Sequence, residues 1–234
     1  IIAEIKLLEN TINFIFSSSC TVYGQADSMP INESFPLKKA ESPYGESKKM
    51  CEEILKKINN SNQSFKNITL RYFNPIGAHP TGLIGELPIG NPENLVPYMT
   101  QTAIGKRDFL SVFGDNYKTK DGTCIRDYIN IMDLAEVHIA CLEKLIAVED
   151  ENFFKIYNVG TGKGTSVFEL INLFENVNDI KLNYKIGDRR KGDVVIAYAD
   201  TSKIKEELNW LTKYSLKNAL KSAWNWELNL NKDE

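Results

Sequence analysis

The sequence predicts an α/β protein built on a parallel sheet, and three stretches carry that expectation. Asn13-Phe14-Ile15-Phe16 is a short, β-favouring apolar run that stops at Ser17-Ser18-Ser19, a buried strand ending in a polar turn. Ser42-Pro43 then opens a helix, with serine at the N-cap, proline at the first helical position and Cys51, Ile54, Leu55 and Ile58 as its apolar stripe. Ile68 to Phe73 reads as the next strand, and strand, helix, strand is the rhythm of a parallel sheet.

In chain order, Ile1, Ile2, Ile5 and Leu8 lie at helical spacing, so the chain opens partway through an amphipathic helix. The strand of residues 13–16 follows, then the helix 43–58, a polar loop over 59–66 and the strand 68–73, which Asn74-Pro75 ends. From Gly77 to Asn94 the chain is rich in Gly and Pro without a helix or strand period, a long loop of the kind that is usually functional. The domain boundary is placed there, giving residues 1–76 and residues 77–234, with some later elements packing back onto the first part. Beyond it we expect helices near 95–105, 133–148, 166–177, 201–209 and 215–228. Short strands are expected near 110–113, 125–129, 155–159, 181–185 and 195–198. No repeat of fixed period is visible.

Composition narrows the function classes. The 234 residues are 42% hydrophobic and 25% charged, which is globular and not a disordered tail. Lys and Arg number 28 against 31 Asp and Glu, a net charge of −3 that offers no basic field to a phosphate backbone. Nucleic acid is not expected as a partner. The apolar runs break far short of the roughly 20 residues that span a bilayer, and no signal peptide is recognisable. Cys20, Cys51, Cys124 and Cys141 are widely spaced, and His79 and His138 are the only histidines. Neither a metal site nor a disulfide framework is expected, and a reducing cytoplasmic setting fits. The Asn-x-Ser/Thr triplets at Asn32, Asn59, Asn62 and Asn67 are read as a by-product of an Asn-rich composition.

Two places carry chemistry from the residues alone. In Tyr44-Gly45-Glu46-Ser47-Lys48 a tyrosine and a lysine four apart share one helix face. A phenol titrating near pH 10 is a poor base at neutrality, and bringing it there needs about 4 kcal/mol of differential interaction. That is more than one exposed ammonium supplies, and a second positive charge would make it reachable. Ser17 to Gly24 is a hydroxyl cluster at a strand end, which can relay a proton or can simply cap a turn. Gly160-x-Gly162-x-Gly164 looks like a phosphate loop but lacks G-x-G-x-x-G spacing. Ser166 with Glu169 makes a capping box there, so the stretch is read as a tight turn into a helix. Trp210, Trp224 and Trp226 are assigned to packing, and His79 and His138 to satisfied polar groups.

Taken together, a strand-end serine, the Y-x-x-x-K pair and Arg71-Tyr72-Phe73-Asn74-Pro75-Ile76-Gly77-Ala78 resemble the extended short-chain dehydrogenase/reductase superfamily. Within it the whole chain is similar to the UDP-glucose 4-epimerases, also called UDP-galactose 4-epimerases. The likeness continues through Asn94-Leu95-Val96-Pro97-Tyr98, Gly122 to Ile129, Met132 to Ala135, Tyr157-Asn158-Val159-Gly160 and Arg189-Arg190-Lys191-Gly192-Asp193.

The resemblance implies a partial Rossmann-like parallel sheet with a smaller mixed α/β UDP-sugar-binding domain. It implies NAD-dependent inversion at C4 of UDP-glucose and UDP-galactose through a 4-keto sugar. Tyr44 would be the base, Lys48 would hold the nicotinamide ribose and depress the tyrosine, and Ser19 would orient the hydroxyl and relay its proton. Phe73 would join these three at the cofactor and, with Tyr72, line the sugar and nicotinamide pocket. Arg126 and Arg190 would meet the diphosphate, as forked cationic donors suit it. Asn74, Asn94 and Leu95 would hold diphosphate and sugar, Ser111, Val112 and Phe113 the uracil, and Asp193 the ribose. A homodimer through the helix bearing Tyr44 and the helix at Ile1 is implied as well.

Departures from the pattern set the alternatives. The superfamily opens with a strand, a glycine-rich turn and a helix that bind the dinucleotide. That half is missing here, so the chain is expected to be roughly the C-terminal two-thirds of an epimerase and to hold NAD poorly alone. The rival is a non-catalytic sugar-nucleotide-binding module lacking the dinucleotide site. Nucleotide-sugar 4,6-dehydratases resemble one another in an Asp-Glu pair just after the strand-end hydroxyl, where this chain has Cys20 and Thr21. At the sugar gatekeeper, where glucose-restricted members resemble one another in a tyrosine, it has Ala197 followed by Tyr198. The small side chain implies room for an N-acetyl group, whereas a shift of one residue would put Tyr198 there.

Overall fold

A computed structural model describes residues 11–61 and 64–232. The stripe at Ile1, Ile2, Ile5 and Leu8 lies outside the described residues. β1 (Ile12–Ser19) runs parallel to β2 (Phe65–Tyr72), with Ser19 opposite Tyr72. β7 (Phe154–Val159) adds in parallel to the other side of β2, with Val159 opposite Tyr72, for the order β1-β2-β7.

The central strand explains its own sequence. Ile68 and Leu70 point to one face, where they meet Leu134, Val137, Cys141 and Leu145 of α3 (Ile131–Ala147). The alternate residues Asn67, Thr69 and Arg71 are buried as well, because a parallel strand is covered on both faces. They sit on the side of α1 (Pro43–Ser61), where Phe65 packs on Leu55 and Ile58. Buried polar groups require partners, and Thr69 donates to Asn67 Oδ1 at 2.9 Å while the Asn67 amide reaches Phe14 O at 3.2 Å.

Helix α1 starts as its sequence predicts, Ser42 Oγ accepting from the Gly45 N–H at 3.1 Å. It continues to Ser61, beyond the expected end at Ile58. Asn59, read as loop, is buried, and its amide donates to Phe65 O at 2.8 Å, so the residue that breaks the apolar stripe is satisfied inside the fold. Asn74-Pro75 likewise does not end the sheet structure: Asn74–Ile76 forms β3, parallel to β6 (Tyr128–Asn130).

A second core lies under α2 (Leu95–Ala103), α4 (Val167–Asn178) and α6 (Leu216–Leu230). There Met99, Leu110, Leu170, Phe174, Leu220 and Trp224 pack together, and the rings of Phe174 and Trp224 meet edge-on at 6.1 Å. β4 (Leu110–Phe113) falls on its predicted residues and pairs in parallel with β9 (Tyr184–Gly187), which begins later than expected. The loop 77–94 contains no helix or strand and is pinned to α6 by Ser222 Oγ, which accepts from Ala78 N at 3.0 Å, and by Trp226, which donates to Glu86 O at 2.9 Å.

The expected strand 125–129 is split into β5 (Ile125–Arg126) and β6 by Asp127. Its buried carboxylate accepts from Thr161 N at 2.8 Å, Gly162 N at 3.0 Å and Ala199 N at 3.1 Å. Burial pushes the Asp127 carboxyl up while these bonds pull it back. β5 is flanked by β10 (Ile196–Ala197), parallel, and β8 (Thr165–Ser166), antiparallel. Gly160 and Gly162 therefore serve a protein carboxylate: a Cβ on Gly160 would stand 2.4 Å from Asp127 Oδ2. The N–H groups of Thr161, Gly162 and Lys163 in the rejected phosphate loop are already used. Ser166 and Glu169 form the reciprocal capping box at the start of α4. α5 (Ser202–Leu208) packs beside β7, with Ile204 and Trp210 in the same core as α3. Among the described residues no helix is long and apolar enough to cross a membrane.

Candidate active site at the strand ends

The carboxyl ends of β1, β2 and β7 lie side by side at Ser19, Tyr72 and Val159, the edge where open α/β sheets bind ligands. The three serines ending β1 have separate tasks. Ser17 O accepts from Lys48 Nζ at 2.9 Å, and its hydroxyl lies 2.7 Å from the Tyr72 hydroxyl. Ser18 donates into the buried interior, to Glu52. Ser19 caps an unpredicted 3-10 turn, Cys20–Tyr23, accepting from Thr21 N at 3.2 Å and from the Thr21 hydroxyl at 3.0 Å. Of the two readings of the cluster, the turn cap is the one seen at Ser19, whose hydroxyl acts as the acceptor.

Helix α1 sits directly on that turn. A Cβ at Gly45 would stand 3.0 Å from Thr21 O and 3.1 Å from Ala40 Cβ, so glycine permits the approach. Tyr44, one residue earlier, is left 55% exposed at the strand ends. The Lys48 ammonium, one helical turn on, lies 5.5 Å from the Tyr44 ring centroid and 5.2 Å from that of Phe16. Ser19, Tyr44 and Lys48 therefore gather at one end of β1.

Behind them lies a buried network that sequence reasoning missed. Arg71 forks onto Glu52, Nη2 to Oε2 at 2.6 Å and Nε to Oε1 at 3.0 Å, with both side chains about 5% exposed or less. Arg71 Nη1 also donates to the Tyr23 hydroxyl at 2.8 Å, and that hydroxyl donates to Asn158 Oδ1 at 2.7 Å. Burial pushes the Tyr23 phenol up to about 12, against the pull of Arg71. The available signal was a charged residue alternating with Ile68 and Leu70 in a strand, together with Glu52 one turn beyond Lys48.

The remaining candidate residues fall into neighbouring groups. Arg126 Nη2 lies 3.7 Å from Asp193 Oδ1, and Ala197 stands opposite Arg126 in the β5–β10 ladder. The Arg190 guanidinium lies 4.5 Å from the centroid of the exposed Phe113 ring at the end of β4. Val112 buries its side chain in the second core, so only its backbone could meet a ligand, while Ser111 is half-buried. Asn94 precedes α2, which Leu95 begins, and donates to Glu86 Oε1 at 2.7 Å. Asn74 is half-buried, its N–H donating to Asp127 O at 2.9 Å. Phe73 is buried with Val22, Tyr23 and Ala197, which joins the strand-end group to the Arg126 group.

Tyr72 turns toward α3, its hydroxyl 2.6 Å from His138 Nε2. His79 is satisfied by Thr81 at 2.8 Å. A cavity of about 600 Å³ lined by Glu33, Lys155, Asp200 and Lys203 lies by the amino half of β7 and includes none of these candidates. The Cys20 thiol is pushed up to about 12 by burial and is neutral at physiological pH.

Comparison with known proteins gives the same pattern a family. The family model described as GDP-mannose 4,6 dehydratase matches residues 1–223. The UDP-glucose 4-epimerase of Pasteurella multocida is 50% identical over 92% of this chain, and the chain spans 63% of that relative's length. The crystal structure of the Bifidobacterium longum UDP-glucose 4-epimerase in complex with NAD+ and UDP superposes with a TM-score of 0.89 at 40% identity, over 95% of this chain and 65% of that one. The Stenotrophomonas maltophila epimerase, with bound NAD and formylated UDP-arabinopyranose, gives 0.90 at 40% identity, over 95% and 65%. The chain accordingly belongs to the family of the GDP-mannose 4,6-dehydratase model, in the extended short-chain dehydrogenase/reductase superfamily, where its relatives are UDP-glucose 4-epimerases.

Proposed function

We propose that the protein interconverts UDP-glucose and UDP-galactose by NAD-dependent inversion at C4. The observation that carries this reading is the gathering of Ser19, Tyr44 and Lys48 at the end of β1, with Cys20 and Thr21 following the serine. Elimination of water from a sugar needs an acid and a base. A half-buried neutral thiol and a hydroxyl supply neither, so the dehydratase chemistry of the family's name is not the reaction we assign to this chain.

The donor set fits a nicotinamide ribose: Lys48 uses one of its three N–H donors on Ser17 O and keeps the others for ribose hydroxyls. NAD, held there with Phe73 nearby, would accept the C4 hydride and return it to the opposite face. Tyr44 takes the proton of the sugar 4-hydroxyl, with the Lys48 charge favouring the phenolate. Ser19 donates to the same oxygen and holds it during transfer. Tyr72 stands at the adjoining strand end, beside the sugar. The 4-keto sugar that results stays attached through its UDP, which Arg126 and Arg190 grip at the diphosphate. Asp193 takes the ribose hydroxyls, residues 111–113 meet the uracil, and Asn74, Asn94 and Leu95 hold diphosphate and sugar. The full-length protein should convert UDP-galactose to UDP-glucose without net NADH release. A 4-keto-6-deoxy product, or UDP binding with no turnover, would overturn the assignment.

Ala197 extends the proposal to UDP-GlcNAc and UDP-GalNAc. It faces the cluster of Phe73, Val22 and Tyr23, whereas the Tyr198 ring lies on the other side, near Gly164. That supports Ala197 as the residue beside the sugar. Ala197→Tyr is expected to lower UDP-GalNAc turnover by about 10-fold or more relative to UDP-galactose, the scale on which pocket size discriminates. Equal effects on both sugars would remove the idea. We further propose a cytoplasmic homodimer. Its support is the four free cysteines and the exposed Met50 and Ile54 on α1.

A further inference from the structure

We propose that Glu86 is a positioning residue for the nucleotide-sugar site: it holds the Asn94 amide away from the helix that Asn94 precedes and fixes its orientation before the ligand binds. The inference rests on the UDP-sugar reading above, in which Asn94 and Leu95 hold diphosphate and sugar.

Asn94 stands at the N-cap of α2 in extended backbone, φ −89° and ψ 146°. From that geometry an asparagine oxygen ordinarily accepts an N–H of the first helical turn. Asn94 makes no such bond. One usual partner is missing, because the third helical residue is Pro97, which has no N–H. The Val96 N–H is left uncapped as well, and the amide turns instead to Glu86, donating to Oε1 at 2.7 Å. A carboxylate offers only acceptors, so the amide nitrogen must be the atom that faces it. This one bond therefore settles where the Asn94 Oδ1 and the second amide N–H lie, and neither has a partner among the described residues. Among those residues Glu86 joins no salt bridge, and its carboxylate is spent on Asn94.

Glu86 can fix Asn94 only if it is itself fixed. Its carbonyl accepts from Trp226 Nε1 of α6 at 2.9 Å, and Gly85 lies so close to the indole that a Cβ would stand 2.4 Å from its Cδ1. Asn229, on the same helix, donates to Gly82 O at 3.0 Å. At the far end Arg107 Nη2 donates to Asn91 Oδ1 at 3.1 Å, while its guanidinium covers the Tyr98 ring of α2 at 4.4 Å. The stretch from Glu86 to Asn94 is thus fastened near both ends, and the Glu86–Asn94 bond closes it. Both side chains are exposed, where such a bond competes with water and contributes little to the fold. Its contribution is to binding, because an amide already ordered need not be ordered by the ligand.

In the full-length protein, Glu86→Ala is expected to weaken UDP-glucose binding about 3- to 10-fold in calorimetric titration, the range of one hydrogen bond. KM for UDP-galactose should rise to the same degree, with kcat within about twofold. Glu86→Gln, whose side-chain oxygen can accept the same N–H, should restore most of the affinity. Asn94→Ala should lose at least as much as Glu86→Ala, and the double variant no more than Asn94→Ala alone, since Glu86 acts through Asn94. Unaltered affinity in Glu86→Ala overturns the inference. So do additive losses in the double variant, no recovery with Glu86→Gln, or a fall in kcat together with the melting temperature of the free protein, which would mean a structural role. A wild type that bound no UDP-glucose would defeat the functional reading itself, whereas the inference alone fails when wild type and Glu86→Ala bind it equally well.

Discussion

Tyr44→Phe in the full-length protein is expected to lower epimerisation by about 10²- to 10⁴-fold, the contribution of a positioned general base, while leaving UDP affinity within error. The physical reason is local. The phenol stands at the strand ends, 55% exposed and held by the first turn of α1, and the Lys48 ammonium, anchored on Ser17 O at 2.9 Å, lies 5.5 Å from its ring centroid. The substitution removes one oxygen from a side chain that packs little, so the fold is left intact. The groups assigned to UDP lie on β3, β4, β5, the start of α2 and the stretch around Arg190, and α1 carries none of them. An epimerase separates the two readouts: steady-state turnover collapses and a UDP titration does not change. A binding module would show no difference in either, because it has no proton to move.

What the sequence disclosed and what it hid divide along the range of the interactions involved. The strand at residues 12–19 and the helix from Pro43 are specified by neighbours: an apolar run closed by serines, and an N-cap serine followed by proline. Tyr44 and Lys48 are legible for the same reason, since four residues on a helix is one face. Asp127 was not legible. It breaks a strand because its carboxylate collects N–H groups from Thr161, Gly162 and Ala199. Those partners are remote in sequence and nothing in the local pattern marks them. β8 and the 3-10 turn at Cys20–Tyr23 were missed because two and four residues hold too little period to read. The later start of β9 is set by its ladder with β4, Leu110 opposite Tyr184, and not by its own composition. The candidate site shows the same division. Arg126 and Asp193 could be named singly, whereas their 3.7 Å approach exists only in the fold.

The largest effect on stability is expected from Arg71→Met. Arg71 and Glu52 are both buried, and removing one partner of such a pair leaves the other charge uncompensated, at a cost of about 3–5 kcal/mol. For a chain of this size that corresponds to a melting temperature lower by roughly 6–20 °C. Glu52 would keep only the Ser18 hydroxyl, and Tyr23 would lose the guanidinium that donates to it. Glu52→Leu combined with Arg71→Met removes both charges, and most of the loss should return, since an apolar pair of similar volume often equals a buried ion pair. A thermal double-mutant cycle measures this directly. Single variants that melt with the wild type, or a double variant no better than Arg71→Met, would show that the pair is not the joint we describe. The consequence reaches the chemistry, because Glu52 lies one helical turn beyond Lys48 and binds the serine that precedes Ser19. The ion pair ties α1 to β1 and β2 at the point where Tyr44, Lys48 and Ser19 must be held together. At a temperature where it remains folded, Arg71→Met should lower kcat more than it raises KM for UDP-galactose, and the double variant should recover both in part.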